Sequence, residues 1–233
     1  MKYLNQEIEN ELRNQGAELI RFVDISHLSE TQNRQFPHAI VFALPLTAGY
    51  IKEVCDTPDY VQARIDDNYN FDDDEYSITE NRTHKLADNM AAYIAEKGYN
   101  AFSQSDENLI AEGKFDAAHK ESLLPNKTIA LLAGLGWIGK NNLLSTPEYG
   151  AAQCLGTVLT DAPLETFLCE TLHPHCGKCT ACVNICERKV LKGKVWSTSV
   201  SRDEIVDVYG CSTCLKCLVH CPYTRRYCKQ STK

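Results

Sequence analysis

The pattern of hydrophobic and polar positions predicts two amphipathic helices in the first two thirds of the chain. Leu4, Ile8 and Leu12 recur at helical spacing, which predicts a helix over residues 2–15. A second apolar face at helical spacing predicts a longer helix over residues 79–97.

Short apolar segments rich in branched and aromatic side chains predict strands. These segments are residues 18–25, 38–44, 100–103 and 155–160. Residues 128–135 are also apolar and rich in alanine. Together with the helices, these segments predict an α/β or α+β layer with a mixed sheet, of about 165 residues.

Composition is that of a globular protein, with 43% hydrophobic and 24% charged residues. The longest apolar run, residues 40–46, contains Pro45 and is far shorter than the ~18–20 residues of a membrane span. The charged N-terminus lacks the apolar core of a signal peptide, so we expect a cytoplasmic protein with no membrane partner. The net charge of −7 argues against a nucleic-acid partner.

Twelve cysteines without an export signal indicate metal or redox chemistry rather than disulfides. Eight of them form two copies of the spacing C-x2-C-x2-C-x3-C, which is typical of bacterial ferredoxins with [4Fe-4S] clusters. The first copy is Cys176, Cys179, Cys182 and Cys186, and the second is Cys211, Cys214, Cys217 and Cys221. The spacing therefore predicts two [4Fe-4S] clusters.

In two-cluster ferredoxins the fourth cysteine of each run ligates the other cluster. Two ligand sets follow: Cys176, Cys179, Cys182 and Cys221 for cluster one, and Cys211, Cys214, Cys217 and Cys186 for cluster two. This exchange predicts local two-fold pseudo-symmetry, with the clusters close enough for electron transfer. The alternative is a pair of zinc sites, but structural zinc favours two cysteine pairs separated by a longer spacer.

Composition shifts towards Cys, Lys and His near residues 167–175. The sequence thus predicts an α/β domain over residues 1–168 and a small ferredoxin-like two-cluster module over residues 169–233. Such a short module would depend on its clusters to stay folded. In its first copy Glu187 replaces the proline that usually follows the fourth cysteine, whereas Pro222 keeps it in the second.

The segment GLGWIGKN, residues 134–141, matches G-x-G-x-x-G and, apart from Asn141, the P-loop pattern. A dinucleotide site needs a full helix after the glycines, and Pro147 would end such a helix early. A P-loop needs a hydroxyl group for magnesium where this chain has Asn141. A further alternative is a glycine-rich corner in which Trp137 fills the core.

Three strings together resemble the epoxyqueuosine reductase-like family of double-cluster iron–sulfur proteins. They are AGLGWIGKNNLL (133–144), LGTVLTDAPLE (155–165) and the double cysteine run. The resemblance implies an α/β domain, a two-cluster module, and a corrinoid (cobalamin) between them that receives low-potential electrons. It also implies that six residues contact this cofactor: Gly136, Trp137, Ile138, Gly139, Lys140 and Asn141.

The chain departs from that family in two respects. The family's catalytic Asp precedes the glycine segment, whereas residues 117–133 contain Glu121 as their only acid, and Asp116 lies just upstream. Family members also carry a helical-repeat extension that helps to hold tRNA, while this chain stops at Lys233. We therefore expect that full epoxyqueuosine reductase activity is absent, and we assign no catalytic residue.

Two function classes follow. In the first, the protein is a reductase whose clusters pass low-potential electrons to a corrinoid or a small substrate in the cleft between the domains. His173 and His175 are then candidate axial ligands to cobalt. In the second, it is a ferredoxin-like electron carrier or relay without a substrate. Either class implies a partner protein that donates or accepts low-potential electrons. Regulatory sensing through labile clusters is a third interpretation.

The four cysteines outside the runs are expected to be packing or surface thiols: Cys55, Cys154, Cys169 and Cys228. A reactive Cys228, with its pKa lowered by the adjacent arginines, is the alternative. The acidic residues 66–75 are expected to form a solvated loop rather than a calcium site, because the EF-hand spacing is absent.

Overall fold

The protein is described by a computed structural model over residues 2–166, 173–197 and 199–231. The α-helices within these ranges are α1 (Lys2–Asn14), α2 (Glu30–Asn33), α3 (Ala48–Asp56), α4 (Tyr60–Asp66), α5 (Glu75–Glu96), α6 (Asp106–Ala111), α7 (Asn126–Leu132), α8 (Ala181–Ile185), α9 (Lys216–Val219) and α10 (Pro222–Ser231). The strands are β1 (Glu18–Asp24), β2 (His38–Pro45), β3 (Ala101–Ser103), β4 (Phe115–Asp116), β5 (Glu121–Ser122), β6 (Trp137–Ile138), β7 (Leu144–Ser145) and β8 (Gln153–Thr160). Short 3-10 turns cover Phe71–Asp73 and Arg202–Glu204.

The chain divides into two compact units built from alternating segments. Unit 1 comprises Met1–Pro45, Ile78–Leu135 and Cys154–Thr171, and unit 2 comprises Leu46–Ser77, Gly136–Gln153 and Leu172–Lys233. The predicted boundary after residue 168 lies outside the described residues, and the two-domain division stays a prediction. Two segments that the sequence analysis gave to the first domain, residues 46–77 and 136–153, belong with the cysteine-rich segment in unit 2.

Unit 1 is built on a four-stranded sheet in the order β1-β2-β8-β3. Strand β2 pairs with β1, and β3 with β8, both antiparallel. The helices α1 and α5 supply Ile8, Leu12, Met90 and Ile94 to its hydrophobic core, because their apolar side chains repeat at helical spacing. A Cβ at Gly156 would lie 2.4 Å from the Phe42 ring, so this glycine allows the ring to pack on β8.

The mixed α/β class is confirmed, and the predicted elements of unit 1 are present with small changes in their ends. The helix predicted over 79–97 begins earlier, at Glu75, and the apolar residues 128–135 form most of helix α7 rather than a strand. Strand β1 contains an irregularity between Glu18 and Arg21, where Leu19 has a φ of 49°. The ferredoxin-like character of the cysteine-rich segment stays a prediction.

Unit 2 contains helices that the sequence pattern did not predict. Helix α3 packs against α9 and α10. Their shared core is apolar and drawn from distant parts of the chain: Leu46, Tyr50, Ile51, Val54, Tyr60, Ala151, Ala152, Leu218 and Val219. The segment that contains α3 and α4 is therefore a structural support of the cysteine-rich segment.

The acidic stretch 66–75 is partly exposed, as expected, but Asp74 is buried. Its carboxylate accepts hydrogen bonds from the hydroxyls of Tyr50, at 2.7 Å, and Tyr60, at 2.8 Å. Burial, followed by this hydrogen bond, raises the pKa of Tyr60 to about 12. The expectation of a solvated loop is thus wrong for Asp74, which links α3, α4 and the start of α5.

Across the described ranges, every helix is too short or too polar to cross a membrane.

Candidate metal centre

Two short helices in unit 2 hold the cysteines of the two runs in matching positions. Helix α8 carries Cys182 in its first turn and is followed directly by Cys186. Helix α9 carries Cys217 in its first turn and is followed by His220 and then Cys221. The two helices contact each other. In each run, the third cysteine therefore lies in a short helix and the fourth lies just after that helix. The two runs have the same local arrangement, which agrees with local pseudo-symmetry.

Four of the cysteines surround one cavity of about 250 Å³ in unit 2. They are Cys176, Cys179, Cys182 and Cys221, the set that the crossed assignment predicts for cluster one. The cavity is completed by Trp137, Lys140, Asn141, Ser145, His175, Pro222 and Tyr223. Three cysteines of the first run thus share a cavity with the last cysteine of the second run.

The other four cysteines are also close neighbours. Burial raises the pKa of the Cys217 thiol to about 12. Charges on four neighbouring thiols add to this shift: Cys214, Cys182, Cys211 and Cys186. Cys186 and Cys217 also pack against one small apolar cluster formed by Val190, Leu191 and Val206. Cys217 therefore lies near the other three members of the second predicted ligand set and near Cys182 of the first.

The thiols at the centre of each group are held in their protonated form. Burial, and then the neighbouring thiols of Cys176, Cys221 and Cys179, raise the pKa of Cys182 to about 11. A metal that binds here must displace these protons, because the thiolate is the ligand.

The glycine segment approaches the cavity so closely that side chains are excluded at two positions. A Cβ at Gly136 would lie 2.1 Å from the backbone oxygen of Ser145, across the antiparallel pair β6/β7. A Cβ at Gly139 would lie 2.8 Å from Oδ1 of Asn141 and 3.6 Å from Sγ of Cys176. The glycines therefore bring backbone against the first cysteine run. A hairpin follows them, not the helix that a dinucleotide site needs.

Lys140 and Asn141 connect the glycine segment to both cysteine runs. The Nζ of Lys140 donates hydrogen bonds to the backbone oxygens of Gly177 and Cys179, each at 2.9 Å. The Nδ2 of Asn141 donates to the backbone oxygen of Cys217 at 3.4 Å. Both side chains hold cysteine loops, a role that the sequence analysis did not foresee.

Trp137 is buried beside the cysteines, with 1% of its surface exposed. Its ring packs against those of His175 and Tyr223, with centroids 4.7 and 4.8 Å away. Its Nε1 is buried and has no hydrogen-bond partner among the described residues. Ile138 is buried to the same extent. Trp137, Lys140 and Asn141 of the segment 136–141 therefore line the cysteine cavity. Contact of this segment with a corrinoid stays a prediction.

Glu187, the residue that replaces proline in the first run, is joined to the second run by an ion pair. Its carboxylate accepts a hydrogen bond from Lys216 of α9, which also bonds Asp59. Lys216 is largely buried, and both carboxylates are exposed. Through these two ion pairs, Lys216 of α9 links the end of α8 to the start of α4. The missing proline is thus accompanied by a specific contact between the two runs.

The cavity also contains residues that the sequence analysis missed. Ser145 reaches it through the pairing of β7 with β6, and Tyr223 reaches it at the start of α10, two residues after Cys221. His175 lines the cavity beside Trp137, while both His173 and His175 are exposed. Their role as axial ligands to cobalt stays a prediction.

The cysteines outside the runs lie apart from the cavity where they are described. Cys154 is buried in β8, as expected, and Cys55 and Cys228 pack on the core of unit 2. Burial is the main factor that raises the pKa of Cys228, and Arg225 opposes it only weakly. The alternative of a lowered pKa for Cys228 is therefore wrong. Cys169 lies outside the described residues.

Sequence comparisons show curated relatives named epoxyqueuosine reductase. The protein from Lactococcus garvieae is 27% identical over 150 residues, covering 57% of this chain and 41% of the relative. The protein from Listeria monocytogenes is 34% identical over 119 residues, covering 44% of this chain and 30% of the relative. The chain thus spans well under half the length of these relatives. No family model matches it.

Structural comparisons extend the similarity to nearly the whole chain. A reductive dehalogenase described with B12-dependent dehalogenation has a TM-score of 0.67 at 17% identity, covering 97% of this chain and 34% of that one. An epoxyqueuosine reductase solved with an epoxyqueuosine-modified tRNA stem loop has a TM-score of 0.58 at 15% identity, covering 96% and 66%. At these low identities, the TM-scores show that the fold is shared. The resemblance to epoxyqueuosine reductases is confirmed.

Proposed function

We propose that this protein is an iron–sulfur reductase that passes low-potential electrons from two [4Fe-4S] clusters to an acceptor, which is a corrinoid or a small substrate. The observation that carries the proposal is the cavity shared by Cys176, Cys179, Cys182 and Cys221. An arrangement in which one run recruits the last cysteine of the other is that of two-cluster ferredoxins. Similarity to two classes of reductase supports the same conclusion.

The cavity fits a cluster in three respects. It is lined by four cysteines, the backbone of Gly139 lies so close that a Cβ there would be 3.6 Å from Sγ of Cys176, and the Trp137 Nε1 is an unused donor. Within residues 2–166, 173–197 and 199–231, no three His, Cys, Asp or Glu side chains converge tightly enough to bind a single metal ion. Two thiolates on one zinc ion lie at most about 4.6 Å apart, because each Zn–S bond is about 2.3 Å. A wider cysteine arrangement favours a cubane over zinc.

When bound, such clusters accept and release single electrons, at potentials down to about −700 mV. Cluster one would be held by Cys176, Cys179, Cys182 and Cys221, and cluster two by Cys211, Cys214, Cys217 and Cys186. The protein's own contribution is to keep the two sites adjacent and partly buried, and to fix the first loop through Lys140. The donor of the electrons is proposed to be a separate low-potential protein.

Metal analysis of the anaerobically reconstituted protein tests this function first. We expect about eight iron and about eight acid-labile sulfide per chain. Zinc in their place, without sulfide, contradicts the proposal.

Titration of the same sample with cobalamin then separates the two kinds of acceptor and the alternative function. A change in the corrin absorption on binding, followed by its reduction when a low-potential donor is added, supports a corrinoid-dependent reductase. The B12-dependent dehalogenation described for one structural neighbour makes this the first acceptor to test. Clusters that exchange electrons with a donor but leave cobalamin unbound favour a carrier or a reductase of another substrate.

The solved complex of one neighbour with a tRNA stem loop runs against the expectation from charge that nucleic acid is not a partner. A tRNA stem loop is therefore the third ligand in the titration, measured by fluorescence anisotropy at low salt. Saturable binding that weakens with salt would make RNA a substrate candidate.

Replacing Lys140 by methionine is expected to make cluster one labile. The change removes two charge-assisted hydrogen bonds to the first cysteine loop while it keeps the length of the side chain. We expect about tenfold faster loss of iron to a chelator, since one such bond stabilises by about 1.5–3 kcal/mol. Lys178→Met, an exposed lysine of the same loop, is the matched control and should release iron at the native rate. Equal rates in the two variants would contradict the role of Lys140.

A further inference from the structure

An unused hydrogen-bond donor lies in the wall of the cysteine cavity. Trp137 lines this cavity together with the four cysteines of cluster one, and its indole is 1% exposed. Its Nε1 has no acceptor in the part of the chain that the structure describes. A buried N–H group without an acceptor is rare in folded proteins, because it has lost its bonds to water without replacing them. Residues 2–166, 173–197 and 199–231 thus leave this N–H free to bond an acceptor placed in the cavity.

The sulfur atoms of a cluster are suitable acceptors. Inorganic sulfides and cysteine thiolates both carry negative charge, and hydrogen bonds to them are among the factors that set the reduction potential of a cluster. The surrounding rings also limit how the indole can move, since it lies against His175 on one side and Tyr223 on another.

We infer that the Trp137 N–H donates a hydrogen bond to a sulfur atom of cluster one and thereby raises the reduction potential of that cluster. This inference rests on the proposed function. The donor favours the reduced cluster because the added electron makes the sulfur atoms more negative. The chain's other tryptophan, Trp196, does not line the cavity. The effect of the Trp137 N–H is therefore expected on cluster one.

Replacing Trp137 by phenylalanine tests the inference, because it removes the N–H and keeps an aromatic ring for His175 and Tyr223 to pack against. The readout is an anaerobic redox titration followed by EPR, preceded by iron and sulfide analysis of every sample. We expect two one-electron waves in the native protein. In the variant, one wave should move to lower potential, and the other should stay in place. Trp196→Phe, the same substitution outside the cavity, should leave both waves unchanged.

A purely structural role for Trp137 gives a different result. It would lower the iron content or broaden both signals without moving one wave selectively. Unmoved waves, or an equal shift of both, would overturn the inference while the clusters and the proposed function remain. A native protein without sulfide would refute both proposals.

A measurement that leaves Trp137 in place covers the case in which Trp137→Phe does not fold. The Trp196→Phe protein, grown with tryptophan labelled with 15N in the indole ring, carries its only label at Trp137. Pulsed EPR of its reduced clusters should show a 15N coupling to one of the two clusters. The lack of this coupling in a sample with full iron and sulfide would contradict the hydrogen bond.

Discussion

Replacing Cys186 by alanine is expected to remove the cluster of the second cysteine run and to leave that of the first. Cys186 is a neighbour of Cys217 and packs on the same apolar cluster, whereas the cavity of Cys176 is completed by Cys221. Iron and sulfide should each fall from about eight to about four per chain. The measurement is metal and sulfide analysis after anaerobic reconstitution.

Double variants identify which cluster is lost without any spectroscopic assignment. Cys186→Ala combined with Cys214→Ala removes two ligands of one cluster, so iron should stay at about four. Cys186→Ala combined with Cys179→Ala removes one ligand from each, so little iron should remain. The reverse pattern would show that each run completes its own cluster.

Replacing Gly136 by alanine is expected to reduce the stability of the protein strongly. The new Cβ would lie 2.1 Å from the backbone oxygen and 2.9 Å from the backbone carbon of Ser145. Backbone atoms cannot rotate away as a side chain can, so β6 and β7 must separate. We expect a loss of about 3 kcal/mol, which lowers the melting temperature by about 10 °C. Scanning calorimetry of the reconstituted protein measures it.

Gly49→Ala is the matched control for this substitution. Gly49 lies in the first turn of α3, and the nearest atom to its Cβ would be Oγ1 of Thr47 at 3.8 Å. Alanine is the better helix former, so the melting temperature should stay the same or rise slightly. If Gly136→Ala melted like Gly49→Ala, the close pairing of β6 with β7 would be refuted.

Sequence periodicity predicted the elements whose side chains face one large core. Helix α1 and strand β2 are examples. The buried residues Ile8 and Leu12 follow the helical period, and the buried residues from Ala39 to Leu44 form a continuous apolar run, which is typical of a buried strand. Helix α3 was missed because it has only nine residues. Its N-terminal signal was nevertheless present, since Oγ1 of Thr47 accepts a hydrogen bond from the backbone of Tyr50.

The spacing of the cysteines predicted that three cysteines of the first run lie together, because this spacing is a local feature of the sequence. That Cys221 joins them was predicted from the ligand exchange typical of two-cluster ferredoxins. The remaining residues of the cavity could not be predicted from the sequence, because only tertiary packing brings them to the cavity. Ser145 depends on the register of a two-residue strand pair, and Tyr223 on the direction of α10. Lys140 was recognised as important, but its partners, the backbone oxygens of Gly177 and Cys179, have no side-chain signature in the sequence.

The alternating segments of unit 2 have a consequence for the order of events during synthesis. Leu46, Tyr50 and Ile51 are synthesised long before Leu218 and Val219, the residues that cover them. Domains fold as their chains emerge, so unit 1 can begin to fold while residues 46–77 still lack these partners. The core of unit 2 can therefore close only after Val219 has emerged, and a chaperone that covers its apolar helices would be most useful during that interval.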